Sequence, residues 1–302
     1  MTAEVSAGTS SWASAFGLMG SERLLRQAQA EGFTGLVGRF FPGAPGPVLQ
    51  WISDWTSWLF WHDDVCDETD VGSNPTELAV IFSQLFEVLS LSRSALPQRV
   101  FEVALEDMAR RLVVLAPDRA WLLRFMTSVR EYFDACLWEA ENRARGVVPS
   151  SADFIPLRRC AGGMWIYLDF VELANGQSLP LSLRKHRDVQ RLMQATNNVA
   201  SWHNDIFSFS KERARSDVHN LVIVLQTELS LRTDEAIRLA ARYADAEVHG
   251  FVAVAGKLGV LRGPELGAAL ESHVQGLRDL MRGNLDWSLG SARYTLDEPN
   301  AA

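Results

Sequence analysis

Apolar residues recur every three or four positions along most of the chain. In 48–60, Val48, Trp51, Ile52, Trp55 and Leu59 follow spacings of 3, 1, 3 and 4, the period of one face of an α-helix. Val100, Val103, Ala104, Met108 and Leu112 repeat it in 98–115, and Trp121, Leu122, Phe125, Val129, Phe133, Cys136 and Leu137 repeat it in 119–144. Segments 184–212, 218–229, 233–256 and 264–292 carry the same period. Helix breakers stand between them: PGAPGP at 42–47, GSNP at 72–75, Pro97, Pro117, GVVPSS at 146–151, GQSLP at 176–180 and RGP at 262–264. No run alternates as a half-buried strand would, no internal repeat is visible, and no long polar linker divides the chain. The pattern predicts one all-α domain over 1–302, of about ten helices, with 1–8 and 299–302 frayed.

The second predicted helix is apolar nearly all round, with Trp51, Trp55, Trp58, Phe60 and Trp61. Such a helix either sits inside a large core or lines an apolar cavity. Composition does not separate the two.

With 47% hydrophobic and 22% charged residues in 302, the chain can bury a core and is not disordered. The net charge is −8 and the basic residues are not massed, which argues against a nucleic-acid surface. The longest apolar runs, such as 78–82, are far short of a membrane span. The start, MTAEVSAGTSSW, has neither the basic nor the apolar region of a signal peptide. Cys66, Cys136 and Cys160 are widely spaced with no CxxC, so neither a disulfide framework nor a zinc site is expected. Cys66 reads as a small buried hydrophobe rather than a reactive thiol. The chain reads as cytoplasmic.

Familiar catalytic signatures are missing: no GxGxxG, HExxH or GxSxG occurs. Gly250 to Gly256-Lys257 has one residue too many for a phosphate loop, and Leu258 stands where a hydroxyl is needed.

Two acidic clusters remain. Asp63-Asp64-Val65-Cys66-Asp67-Glu68 ends the aromatic helix. Asp63 and Asp67 are four apart and share a face, where like charges repel unless a cation lies between them. Carboxylates at the end of a rigid helix suit Mg²⁺, which takes hard oxygen ligands and keeps waters or phosphates. An acidic, solvated helix end is the plainer reading, weakened because acid is unfavourable at a helix C-terminus. In the second cluster Asn204, Ser208 and Glu212 are spaced 4 and 4, a stripe of three oxygen donors beside Lys211. Trp202, Ile206, Phe207 and Phe209 make this helix too apolar for a purely solvated stripe. Arg158-Arg159 precedes a break at Gly162-Gly163, and Arg293-Tyr294 lies near the C-terminus. Guanidinium groups of this kind grip phosphate oxygens.

Taken together and in order, these residues resemble the bacterial class I terpene synthases. Asp63-Asp64-Val65-Cys66-Asp67 looks like the family's aspartate-rich motif, and Asn204 to Glu212 like its NDxxSxxKE metal motif. Arg293-Tyr294 looks like the terminal RY pair. Arg158, 46 residues before Asn204, stands where the family has its pyrophosphate-sensing arginine, and His219-Asn220 also fits. The likeness runs from Trp12 to Tyr294. One departure is Ala161, where the family often has a polar residue linking the sensing arginine to an effector carbonyl, here assigned to Gly162.

The resemblance implies a helical bundle enclosing an apolar cavity, with three Mg²⁺ ions and a prenyl diphosphate at its mouth. Asp63 and Asp67 (or Asp64) would ligate metal on one side, and Asn204, Ser208 and Glu212 on the other. Arg158, Lys211, Arg293 and Tyr294 would grip the diphosphate. Phe60 and Trp287 are the foremost aromatics to line the cavity, followed by Phe133, Trp165, Trp202 and Phe207. Ten Trp residues favour a restricted pocket and hence C15 farnesyl diphosphate over C20 or C10. A chain-elongating prenyltransferase would carry two aspartate-rich motifs, and a helical scaffold would leave the four clusters unexplained. The partner is a small molecule, with a homodimer as the open possibility.

Overall fold

Helices form along the segments of apolar period, and several of them start at a side-chain cap. The computed structural model describes residues 2–18, 31–68, 70–92, 97, 99–258 and 264–294. Helix α1 spans Thr2–Ala15, α2 Phe33–Phe40 and α3 Gly46–Glu68. A 3₁₀ turn at Asp70–Ser73 leads to α4, Pro75–Leu89, followed by α5, Val100–Leu115, and α6, Arg119–Arg145. Helices α7 (Ser151–Ala161) and α8 (Met164–Ala174) are separated by Gly162-Gly163, and a single turn, α9, covers Leu181–Arg184. The second half holds α10 (Arg187–Ala214), α11 (Leu221–Leu229), α12 (Thr233–Leu258) and α13 (Pro264–Ser288), then a 3₁₀ turn at Ala292–Tyr294. Among the described residues there is no strand. The short helices α2 and α9 add to the number the periodicity predicts.

The caps are local. Asn74 accepts from the Glu77 N–H with Pro75 in the first turn of α4, and Asp118 accepts from the Trp121 N–H at 2.7 Å. Ser150 and Asp153 form a reciprocal pair at the start of α7. Asn220 caps α11 through the Val222 N–H at 2.8 Å. Between α7 and α8 the chain needs φ +66° at residue 163, a conformation glycine adopts without a Cβ clash.

Helix α10 runs through the middle, against α12 and α13 on one side and α7, α8 and α11 on others. The surrounding of α3 decides between the two readings of its aromatics, and each applies to a different face. Trp51, Trp55 and Trp58 are fully buried, with Trp51 and Trp55 packed edge-on against Phe125 and Phe170. Phe60 points to a cavity instead. The indole N–H groups of Trp51 and Trp121 donate to the Met108 and Asp169 carbonyls, so these rings bury no unpaired donor.

The N-terminus departs from the expectation that 1–8 fray. Residues 2–15 are one helix with Val5, Thr9 and Ala13 buried. Asp54, 1% exposed on α3, accepts from Thr9 Oγ1 at 2.8 Å, Gln50 Nε2 at 2.8 Å and Arg111 Nη1 at 2.8 Å. Trp12 Nε1 donates to Asp107. A buried carboxylate needs these donors, and supplying them fastens α1 to α3 and α5. A residue pattern this polar gives no apolar signal, which is why the docking is not visible in the sequence. The other expected frayed end, 299–302, lies outside the described residues.

Candidate active site

Asp63 and Asp64 occupy the penultimate turn of α3 and both line one large cavity. Arg293 Nη1 and Nη2 donate to the two oxygens of Asp64 at 3.1 and 3.0 Å, a fork that matches the planar carboxylate. Asp63 has no such fork. Burial, opposed by Arg293 and assisted by the Asp64 and Glu139 charges, pushes its carboxyl up to about 6. Asp67 lies on the last turn of α3, and its side chain is outside the described residues, as is that of Cys66.

The second bank is on α10. Asn204, Ser208 and Glu212 all line the same cavity, as the 4-and-4 spacing requires of one helix face. Asn204 Nδ2 donates to the Tyr294 hydroxyl at 2.8 Å, while its Oδ1 accepts from Arg158 Nη2 at 2.8 Å. Ser208 Oγ donates back to the Asn204 carbonyl at 2.8 Å. Glu212 Oε2 accepts from Asn220 Nδ2 at 2.8 Å. Burial, then the Asp205 charge, raise the Glu212 carboxyl to about 7. Lys211 lines the cavity beside it, its ammonium pushed down by burial and then by Arg293.

Arg158 closes the ring from α7. Its Nε and Nη2 donate to Asp205 Oδ1 at 2.9 and 2.6 Å. Asp205 is fully buried, and its other oxygen accepts from the Leu221 N–H at 2.9 Å. Ala161 offers no side-chain link to the guanidinium, and the Gly162 N–H donates to the Arg158 carbonyl at 2.9 Å as the bond that closes the last turn of α7. A Cβ at Gly162 would stand 3.0 Å from Ser201 Oγ and 3.3 Å from Arg158 Nη1. Only a bare backbone approaches the guanidinium this closely without displacement.

The cavity encloses about 400 Å³, within the range of small-molecule sites. Phe60 and Trp287 line it, 6.3 Å apart, with Phe60 stacked on Phe33 at 4.4 Å and under the Arg293 guanidinium at 4.6 Å. Phe133, Trp165, Trp202 and Phe207 are not among the lining residues. Phe133 stacks on Phe82, Trp202 belongs to a second hydrophobic cluster with Phe154 and Leu221, and Phe207 packs on Tyr294. Leu36, Phe40, Phe82, Tyr132 and Tyr167 are also part of the wall. The sequence also predicts Trp287 and Arg293 on one helix, facing apart. The helix ends at Ser288 and a 3₁₀ turn carries Arg293, so both reach the same cavity.

Three polar residues here have no role in the sequence-based expectation, although Asp205 is a motif position. Asp205 sits inside the second motif but acts as the counter-ion of Arg158. Glu139 lines the cavity with its carboxyl raised by burial. Arg143 joins the loops behind the two acidic helices, donating to the Gly72 carbonyl at 3.0 Å and to Asp217 at 3.4 Å. His219 and Asn220 lie in the second of these loops, with His219 against Asp217 at 3.2 Å.

Among the described residues no three His, Cys, Asp or Glu side chains converge to hold a metal by themselves. The donors stand as two banks across the cavity. Their chemistry fits hard divalent cations: every donor is oxygen, and Asp63 and Glu212 are half-buried carboxylates whose ionisation is resisted first by desolvation and then by neighbouring anions. A divalent cation together with an anionic ligand satisfies both banks.

Residues 54–249 match the family described as terpene synthase family 2, C-terminal metal binding. The chain is 36% identical over 290 residues to a (+)-T-muurolol synthase of Roseiflexus castenholzii that cyclises (2E,6E)-farnesyl diphosphate, covering 96% of this chain and 88% of that protein. It is 35% identical over 297 residues to a 10-epi-cubebol synthase of Sorangium cellulosum, covering 96% and 91%. Among solved structures, a single-residue variant of cucumene synthase superposes with a TM-score of 0.83 at 26% identity, over 97% of this chain and 96% of that one.

Proposed function

The chain belongs to the bacterial class I terpene synthases, and we propose that it ionises farnesyl diphosphate with Mg²⁺ and cyclises the cation to a sesquiterpene. One observation carries the reading: acid banks on α3 and α10 face one cavity whose mouth holds Arg158, Lys211 and Arg293 and whose wall beyond is aromatic and aliphatic. The relatives above that act on or are named for C15 chemistry supply the chain length.

In this reading Asp63, with Asp64 or Asp67, and Asn204, Ser208 and Glu212 hold three Mg²⁺ ions. Bound there, Mg²⁺ supplies the positive charge that makes diphosphate a good leaving group. Arg158, Lys211 and Arg293 donate to the diphosphate oxygens, and the Tyr294 hydroxyl adds one more donor. These cationic donors favour the transition state because negative charge grows on the diphosphate as the C–O bond lengthens. The Gly162 carbonyl serves the ionising end of the prenyl chain. Phe60 and Trp287 offer ring faces to the migrating cation without offering a nucleophile. The apolar wall keeps water from trapping it early. The reaction is assigned to the cytoplasm; no described helix is long and apolar enough to cross a membrane.

Incubation with C10, C15 and C20 prenyl diphosphates and Mg²⁺, with volatile products analysed, tests the reading. Cyclic C15 products from farnesyl diphosphate are expected. Turnover of only the C10 or C20 substrate overturns the chain length, and release of diphosphate from none of them overturns the reading.

A further inference from the structure

Most polar groups of the cavity belong to the acid banks and their cationic partners. Tyr167 stands apart from them. It lines the cavity from α8, 4% exposed, its ring edge-on to Phe40 and Phe170 at 5.6 Å each. Its hydroxyl meets Thr56 Oγ1 at 3.1 Å, and Thr56 Oγ1 meets the Ile52 carbonyl at 2.7 Å. The direction of this chain is fixed by proton count. A carbonyl only accepts, so the single Thr56 proton goes to Ile52, and Tyr167 must then donate to Thr56.

That arrangement commits the Tyr167 proton to the protein. Among the described residues no donor reaches the Tyr167 oxygen in return. A buried hydroxyl with its lone pairs unfilled presents the negative end of its dipole. Its place matters. Thr56 and Asp63 are seven apart on α3, hence on one face and about 10 Å apart along the helix. The Tyr167–Thr56 pair therefore lies about two turns below the acid bank, where the hydrocarbon end of a substrate gripped at the mouth would reach.

We propose that Tyr167, its proton held by Thr56, is a specificity-determining residue of the cyclisation, an oriented dipole that stabilises positive charge at the deep end of the cavity. This rests on the terpene synthase reading for its chemistry. The dipole is preorganised, because Thr56 has no second proton to give and the hydroxyl cannot turn inward without losing its acceptor. The ring face alone would stabilise a cation too, so the test must keep the ring and remove only the orientation.

Four proteins decide it: the parent, Tyr167→Phe, Thr56→Val and Thr56→Ser. Tyr167→Phe deletes the oxygen and keeps the ring. Thr56→Val deletes the acceptor in nearly the same shape, leaving Tyr167 in place but unoriented. Thr56→Ser restores the acceptor. With farnesyl diphosphate, the share of the main product is expected to fall about two- to five-fold in Tyr167→Phe and Thr56→Val, the size of a modest cation contact, and to be preserved in Thr56→Ser. Diphosphate release is expected to persist in all four.

A binding measurement that needs no turnover runs beside it. With Mg²⁺ and inorganic diphosphate present, affinities for trimethylphenylammonium and its neutral isostere tert-butylbenzene are compared. The preference for the cation is expected to drop by about the same factor in Tyr167→Phe and Thr56→Val and to hold in Thr56→Ser. An equal preference in all four folded proteins overturns the proposal. Absence of diphosphate release in the parent overturns the terpene synthase reading instead, and the ammonium comparison still judges Tyr167.

Discussion

Arg293 and Asp64 meet as a two-bond fork across 229 residues of chain, at 3.1 and 3.0 Å. The pair joins the C-terminal 3₁₀ turn to the end of α3, and Phe60 packs under the guanidinium at 4.6 Å. A lysine keeps the charge but not the planar fork. Arg293→Lys is expected to lower turnover at least about tenfold, as loss of one charge-assisted hydrogen bond of about 1.5–3 kcal/mol implies. The product mixture should stay as in the parent. Trp287→Leu, which removes a ring from the cavity wall, should change the mixture instead. Gas chromatography of both variants checks the contrast, and an unaltered mixture from the Trp287 variant returns that residue to simple packing.

Activity should vanish on chelation, because Asp63 and Glu212 are half-buried carboxylates that face one cavity beside other anionic groups. Asn204→Ala and Glu212→Ala should each lower turnover by about 100-fold or more, comparable to removing one preorganised donor from a transition state. Circular dichroism should be unchanged. Diphosphate release measured with excess EDTA, and in each variant at saturating Mg²⁺, checks both points.

Gly162→Ala probes the close approach of the backbone to Arg158. Its new Cβ would stand 3.0 Å from Ser201 Oγ and 3.3 Å from Arg158 Nη1. Those two are side-chain ends that can give way, but the Arg158 carbonyl oxygen at 3.2 Å is backbone, so the protein should fold with a loss of about 1–2 kcal/mol from overpacking. Turnover should fall further than that, because Arg158 is displaced from its Asp205 anchor. Thermal denaturation and steady-state kinetics on the same preparation separate the two effects.

The N-terminal helix should be part of the stable fold. Asp54→Ala leaves Thr9, Gln50 and the partly exposed Arg111 without their shared acceptor. A loss of about 2–3 kcal/mol is expected from hydrogen bonds to a charged group. Hydrogen exchange should show α1 opening in this variant at rates the parent does not show. Equal protection of residues 2–15 in both proteins would contradict the docking role.

Stability should fall on the acid side through His273. It is 1% exposed on α13, neither ring nitrogen has a hydrogen-bond partner among the described residues, and burial followed by the Arg184 and Arg124 charges pushes it down to about 3. In the unfolded chain a histidine titrates near 6.5. Above that pH it is neutral in both states. Below it the unfolded chain takes up a proton that the folded protein refuses, so this contribution to stability is lost as pH falls from about 6.5 towards 3, by up to about 1.4 kcal/mol per pH unit. His273→Leu should therefore lose about 2 kcal/mol less than the parent between pH 7 and pH 5. Urea denaturation at the two pH values reads the difference.

What the sequence determined by itself were the features that depend on neighbours along the chain. The three- and four-residue apolar period located the long helices, and the 4-and-4 spacing put Asn204, Ser208 and Glu212 on one face of α10 whatever that helix packed against. Periodicity states that a face is buried but not what buries it. Tertiary packing alone decided that Trp51 and Trp55 fill the core while Phe60 meets a cavity, and that Phe133 and Trp202 turn elsewhere. It also decided that α13 ends at Ser288, bringing Arg293 to Asp64 and Trp287 to the same wall. The docking of α1 through Thr9 and Asp54, the pairing of Arg158 with Asp205, and the Tyr167–Thr56 bond join residues 45, 47 and 111 positions apart. Polar contacts at such separations leave no periodic trace, because each depends on where two independent helices come to rest.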